Sequence, residues 1–188
     1  HSSGKMGHEI AKEAASLGAN VVLVTGPTQI NLRNNSIKVV NVTSADEMFE
    51  KCLFELKKMD YLIMAAAVSD FKPQKISKTK IKKNIKKTFN LELVKNIDII
   101  SELSKLKKPN QKVIGFALET ENEIVNAKNK LEKKQLDAII LNSISDENTC
   151  FNSDKNKIHF ITKSKTKKFK LKFKNEVAKD ILHEIYNL

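Results

Sequence analysis

Short β-branched runs alternate with helix-length amphipathic segments along most of the chain, and few folds accommodate that alternation. Asn20 to Thr25 is an apolar run closed by Gly26-Pro27, a strand followed by a turn. Ile37 to Val42, Asp60 to Ala67, Val113 to Leu118 and Ala138 to Leu141 read as further strands. Between them lie helical patterns: one placing Ile10, Ala14 and Leu17 on a common face before Gly18, one opened by the capping box Ser44-Ala-Asp-Glu47 and running to about Lys57, one after Asn96, and one from Glu121 to about Gln135. Such a pattern calls for one α/β domain over residues 1–188, a mainly parallel sheet with helices on both faces. Near the end, Ile158 to Thr162 and Lys168 to Phe173 suggest a hairpin, and Asn175 caps a last helix with Val177, Ile181 and Ile185 inward. From Lys72 to Lys87 the periodicity stops, and like charges with little apolar material predict a mobile flap. A strand near Phe89 to Leu93 follows.

Ligands of open α/β sheets bind beyond the carboxyl ends of the strands. The residues to weigh are therefore Gly26-Pro27, Ala65 to Asp70, Phe116 to Thr120 and Asn142. His1-Ser-Ser-Gly-Lys-Met-Gly7 precedes a helix, and glycines, hydroxyls and free N–H groups there suit an anion, although no P-loop pattern is present. Small residues at Ala65, Ala66 and Ala67 let a flat ligand approach the backbone, and Asp70 either holds a ribose hydroxyl or a cation or simply caps a turn. Lys80-Ile-Lys-Lys83 is either a solvated face or a cationic cover over an anion site. Lys130 and Lys134 are four apart on one helix and project together, and Asn96 caps the helix that follows it.

The formal net charge of +12 raises nucleic acid as a partner, but 34 basic residues include a single arginine, Arg33, and no nucleic-acid motif accompanies them. We read the charge as a solvated lysine-rich surface that steers small anions, with no nucleic-acid partner. No apolar run approaches the ~18 residues of a membrane span. Cys52 and Cys150 lack a C-x-x-C spacing, and His1, His8, His159 and His183 lack ligand spacing, which fits a cytoplasmic protein without a protein-held transition metal. The first residue is His1, so further sequence is expected upstream.

Taken in order, HSSGKMG, GANVVLVTGP, AAAVSDF, KIKK, LVKN-x-D, VIGFALET and FNSDKN resemble the bacterial phosphopantothenoylcysteine synthetase family across nearly all of the chain. The resemblance implies a Rossmann-like fold, a homodimer, and ligation of 4′-phosphopantothenate to L-cysteine with CTP and Mg²⁺. It also implies a flavin-dependent decarboxylase fused upstream or associated with the domain. Matched by motif, Lys80 is the family's catalytic flap lysine. Met64, Ala65, Ala66 and Asp70, the turn Val94, Lys95, Asn96 and Ile97, and Phe116, Lys130 and Lys134 are its CTP-binding positions. Ser2, Ser3, Gly4 and Lys5 fall in the loop near the triphosphate and the reacting carboxylate, and Asp70 is the position for Mg²⁺ held otherwise by CTP. The chain departs from the family in lacking its first strand, its G-G-T-x-E-P-like loop and the asparagine before His1, so a polypeptide starting there is expected to be impaired. Ile97 stands for a usual proline, and Ser143 for a usual aspartate. The rival reading is an NAD(P)-binding oxidoreductase. No acidic residue ends the Val21–Thr25 strand to hold a ribose, and no Tyr-x-x-x-Lys pair is present.

Overall fold

The computed structural model describes residues 3–32, 34–77, 79–81, 90–143 and 154–188. Its centre is a parallel ladder in which β3 (Tyr61–Met64) pairs with β6 (Lys112–Glu119) and β6 with β7 (Ala138–Ser143). β7 then pairs antiparallel with β9 (Ile158–Ile161), and β9 with β10 (Thr166–Lys168), giving the order β10-β9-β7-β6-β3. β1 (Val21–Thr25) and β2 (Ile37–Asn41) form a separate parallel pair. Two further antiparallel pairs are β4 (Phe71–Pro73) with β5 (Leu93–Lys95), and β8 (Lys155–Asn156) with β11 (Lys172–Phe173).

Side chains alternate across the sheet with period two, and each face has its own core. Ile114, Ala138, Ile140, Ile158 and Phe160 point to the side covered by α1 (Lys5–Ser16) and α5 (Lys174–Tyr186), where Ile10, Val177, Ala178 and Ile181 meet them. Val113, Ala117, Ile139, Leu141 and Ile161 point the other way, against Ala127 and Leu131 of α4 (Glu123–Lys133). Beside them, α2 (Ala45–Leu56) and α3 (Ile99–Lys105) close a third cluster through Met48, Leu56, Ile99 and Leu103, to which Val24 of β1 and Met64 of β3 both contribute. Among the described residues no ladder bond joins β1 to β3, and both strands stay largely half-buried despite apolar sequences.

Glycine is required where α3 and the loop before β7 approach β6. A Cβ at Gly115 would stand 2.9 Å from Ile100 Cδ1 and 2.9 Å from Leu136 Cδ1. Polar groups bind the amino ends of the strands to the helices: Asp137 accepts from Val113 N at 2.7 Å and from Lys107 Nζ at 2.6 Å, and Gln111 Nε2 donates to the carbonyls of Leu56 and Met59.

The fold class expected from sequence is the one observed. Local boundaries differ. The first helix ends at Ser16, so Leu17 lies outside it and is 70% exposed rather than on the buried face. Gly18 turns the chain there with φ 86°. The segment expected to be featureless from Lys72 begins as β4, and the strand placed at Phe89–Leu93 lies at Leu93–Lys95, because Phe71 and Pro73 pair with Lys95 and Leu93. Of the remaining flap, residues 78 and 82–87 lie outside the described residues. The second hairpin strand is Thr166–Lys168, and Lys172–Phe173 pairs instead with Lys155–Asn156. The last helix is capped at Phe173, two residues before Asn175, with Glu176 Oε2 accepting from Phe173 N at 3.2 Å.

α5 is tied to the β9–β10 turn by buried Glu184, which accepts from Lys167 and, at 3.4 Å, from Lys165. Burial raises the Glu184 carboxyl pKa, but the two lysines outweigh it and leave the value below the ordinary 4.5. A carboxylate with a lowered folded pKa stabilises above its unfolded pKa and loses that contribution as pH falls through the folded one. Glu184→Gln should therefore lower the urea midpoint at pH 7, with the deficit shrinking as pH drops below 4.5, as urea titrations across that range would measure.

Candidate functional site

The carboxyl ends of β3, β6 and β7 point to one edge, and three loops converge there. The segment after β3 folds back on the turn that follows β5: Asn96 N donates to Asp70 O at 2.7 Å and Asn96 Nδ2 to Ser69 O at 3.0 Å. Register places Met64 opposite Gly115, so Phe116 comes level with Ala65, just past the end of β3. The first turn of α1 reaches the same place, since a Cβ on Gly7 would lie 3.8 Å from the Ala65 Cβ. Small residues at 7 and 65 let these two backbones approach closely.

Gly4 is the N-cap of α1 with φ 74°, a conformation that side chains disfavour. No side chain caps the helix and no acidic residue lies in its first turn. Ser3 Oγ accepts from Lys5 N at 3.4 Å, and Thr28 Oγ1 donates to Ser3 O at 3.2 Å, fixing the loop to the turn after β1. Uncapped N–H groups and the helix dipole give this end a positive potential suited to an anion. Ser2 lies outside the described residues.

Not every expected residue joins in as expected. Lys130 and Lys134 do not converge on a shared point: Lys130 Nζ is 2.6 Å from Glu119 Oε1, and Lys134 Nζ is 2.8 Å from Asp98 Oδ2. Spacing of four residues sets direction on a helix, but each ammonium has found its own carboxylate on a neighbouring element. Phe116 packs on the α1/α5 face of the sheet, opposite the face that carries α4 and both lysines. Asn96 does not cap α3. That position belongs to Asp98, whose Oδ1 accepts from Ser101 N at 3.3 Å, while Asn96 Oδ1 accepts from Ile97 N at 3.0 Å. Ile97 packs with the Met48–Leu103 cluster, an apolar role in place of a proline. Val94 is half-buried, whereas Lys95 and Asp70 are exposed. Lys80 is exposed, beyond the β4 end of the flap hairpin.

Sequence reading missed the carboxylates that organise this edge. Asp98 and Glu119 hold the two lysines, and Glu123 Oε2 accepts from Ser143 Oγ at 2.8 Å, so serine keeps a polar role where aspartate was expected. The sequence signals for Asp98 were its place immediately before the apolar Ile99-Ile100 and its position as the acid of LVKN-x-D. Asn142 Oδ1 and His159 Nδ1 are buried without a hydrogen-bond partner among the described residues. Burial, then Lys168, lowers the His159 pKa against a weaker opposing pull from Glu123, keeping that ring neutral near pH 7. Cys52 is not poised for chemistry: burial pushes its thiol up to about 11. Among the described residues no three His, Cys, Asp or Glu side chains cluster as a metal cage, and no helix is long and apolar enough to cross a membrane.

Residues 1–188 match the family described as DNA/pantothenate metabolism flavoprotein C-terminal domain. The chain belongs to that family. It is 45% identical over its whole length to a cysteine/cysteine sulfinic acid decarboxylase of an unknown prokaryote, and covers 52% of that protein. It is 43% identical to the coenzyme A biosynthesis bifunctional protein CoaBC of Borreliella burgdorferi, across 98% of this chain and 46% of the relative. A crystal structure of the C-terminal domain of a CoaBC protein superposes with TM-score 0.81 at 34% identity, over 98% of this chain and 82% of that one. The chain thus spans about half the length of these curated relatives, and it falls in the family that its motifs pointed to.

Asp98 both caps α3 and holds Lys134. Asp98→Ala should cost about 0.5–2 kcal/mol of stability through the lost cap. Asp98→Asn should keep most of that stability while releasing Lys134. Chemical denaturation of both variants checks the difference.

Proposed function

We propose that this domain is a ligase of coenzyme A biosynthesis that joins 4′-phosphopantothenate to L-cysteine at the expense of CTP. One observation carries the reading in the structure: the loop after β3, the turn after β5 and the uncapped start of α1 meet at one edge of the sheet, with Asn96 bonded to both Ser69 and Asp70. Membership of the family and the CoaBC relatives support the chemistry.

In the proposed reaction the carboxylate of phosphopantothenate attacks the α-phosphorus of CTP, and the bond to pyrophosphate breaks. The cysteine amine then attacks the acyl-cytidylate carbonyl, CMP leaves with the bonding electrons, and the amine proton passes to solvent. Charge develops first on phosphoryl oxygens and then on the carbonyl oxygen, so fixed cations and N–H donors are what the chemistry needs, and no protein nucleophile is required. The α1 start supplies donors, Lys80 the cation on the flap, and the 64–70 and 94–97 backbones a wall for the cytosine and ribose. Lys130 and Lys134 contribute in this reading only by exchanging Glu119 and Asp98 for phosphate oxygens. Mg²⁺ would neutralise the triphosphate. The exposed Asp70 carboxylate fits an ion that is held chiefly by the nucleotide, and no protein cage is needed for it.

The relatives' greater length supports an attached decarboxylase half, and the unpaired inner edges of β1 and β3 suit a strand supplied from upstream. A homodimer is part of the same reading. Phe71 and Leu93 lie on one face of the β4–β5 hairpin and are 56% and 51% exposed, a surface suited to a second copy. Phe71→Lys with Leu93→Lys should convert dimer to monomer in sedimentation velocity runs, and a wild-type chain that is monomeric at micromolar concentration would remove the dimer.

Calorimetry with CTP, ATP and NAD tests the function, the expected order being CTP ahead of ATP, with no heat from NAD. In the protein that carries its upstream half, Lys80→Ala should slow ligation roughly 10²–10³-fold. Ligation at the wild-type rate would end the proposed role of Lys80.

A further inference from the structure

At the edge of the sheet opposite the loops described above, a cavity of about 360 Å³ opens between the amino ends of β6 and β7, the turn joining β9 to β10, and the end of α5. That volume lies within the roughly 300–1,000 Å³ of small-molecule sites. Its floor is apolar, made of the nearly inaccessible Leu136 and Phe160 with the more open Leu188 beside them. Its walls are charged. Lys107 and Lys112 come from the start of β6 and the connection before it, Lys163 and Lys165 from the β9–β10 turn, and Asp137 and Glu184 stand among them. The turn is pinned, since Thr162 N donates to Lys165 O at 2.8 Å and Thr162 Oγ1 accepts from Lys165 N at 3.0 Å, which gives Lys163 a defined place at its tip.

Both carboxylates are already answered. Asp137 Oδ2 accepts from Lys107 Nζ at 2.6 Å and from Val113 N at 2.7 Å, and Glu184 accepts from Lys165 and from Lys167. Among the described residues, the ammonium groups of Lys112 and Lys163 have neither a hydrogen-bond partner nor a carboxylate. Sheet order puts β7 between β6 and β9, so these two cations flank the start of β7, where Leu136 and Phe160 form the floor. Two surplus ammonium groups above an apolar floor suit an anion that carries its own apolar body. The head would neutralise the lysines, and the body would displace water from the floor. The flanking carboxylates and the carbonyl end of α5 add negative potential, which favours a singly charged head over a polyphosphate.

We propose that this cavity binds a small monocarboxylate with an apolar tail, its carboxylate between Lys112 and Lys163 and its tail against Phe160 and Leu136. The eight residues of β6, at roughly 3.3 Å each, set it about 25 Å from the carboxyl-end loops. It is therefore separate from the proposed ligase centre and does not rest on that reading.

Calorimetric titration with octanoate, acetate and octylammonium, all below micellar concentrations, tests the site. Wild type should bind octanoate saturably, at least tenfold more tightly than acetate, and should not bind octylammonium. The double variant Lys112→Gln with Lys163→Gln should lose at least tenfold in octanoate affinity. The charge-matched pair Lys51→Gln with Lys128→Gln, both exposed on other helices, should match wild type. Amide shifts in NMR spectra should move at Thr162, Lys163 and Ser164 as octanoate is added. Should the double variant fail to fold by circular dichroism, Lys163→Gln at the turn tip replaces it, with at least a threefold loss expected. Octanoate affinity equal to wild type in a folded variant overturns the site, as does octylammonium binding as tightly as octanoate. Shifts confined to Gly4, Ala65 and Asn96 would also overturn it, by moving the ligand to the opposite edge. CTP titrations of the same variants should be unchanged, so the cavity and the ligase reading can fail separately.

Discussion

Burial of both faces of the β6–β7 ladder is the constraint on which the remaining structure depends. Ile114 and Ile140 project to one side and Val113, Ile139 and Leu141 to the other, all almost wholly inaccessible. A sheet apolar on both sides must be covered on both, and short parallel strands leave the chain to return through helices. α1 and α5 take one face, α4 and α3 the other, and the loops that join strand ends to helix starts are thereby gathered along a single edge. The polar groups at that edge come from the connections, while the ladder supplies their common origin.

Charge is organised on the same plan. The chain is strongly basic, yet the lysines nearest the carboxyl-end loops are paired: Lys130 with Glu119, Lys134 with Asp98, Lys5 with Asp154. Those pairs are partly exposed and therefore cheap to open. Lys174 differs in being buried at the first turn of α5.

Much of the fold was legible in the sequence because parallel strands are read from unbroken apolar runs and helices from their period. VVLVT, YLIM and AIIL announced strands without ambiguity, and Ser44 with Glu47 announced a helix start that the structure reproduces, Glu47 N donating to Ser44 Oγ at 3.2 Å. Errors fell where local signals are weak. β4 and β5 are only three residues each, and they form because they pair with each other across a long connection, which no short window contains. Asn96 and Asn175 looked like caps by residue type, but Asp98 and Phe173 hold those positions. A cap is decided by where tertiary packing lets the helix begin.

The sequence by itself determined the alternation of strands and helices, which strand ends carry small residues, and the resemblance that named a family, since these depend on residue order and local side-chain chemistry. Tertiary structure alone decided which charges meet. Lys130 and Lys134 share a helix, but their partners, Glu119 and Asp98, come from a strand end and from another helix start. Lys5 and Asp154 are separated by 149 positions and lie 2.6 Å apart. Electrostatic contacts follow distance in space, and the packing of both sheet faces is what sets that distance.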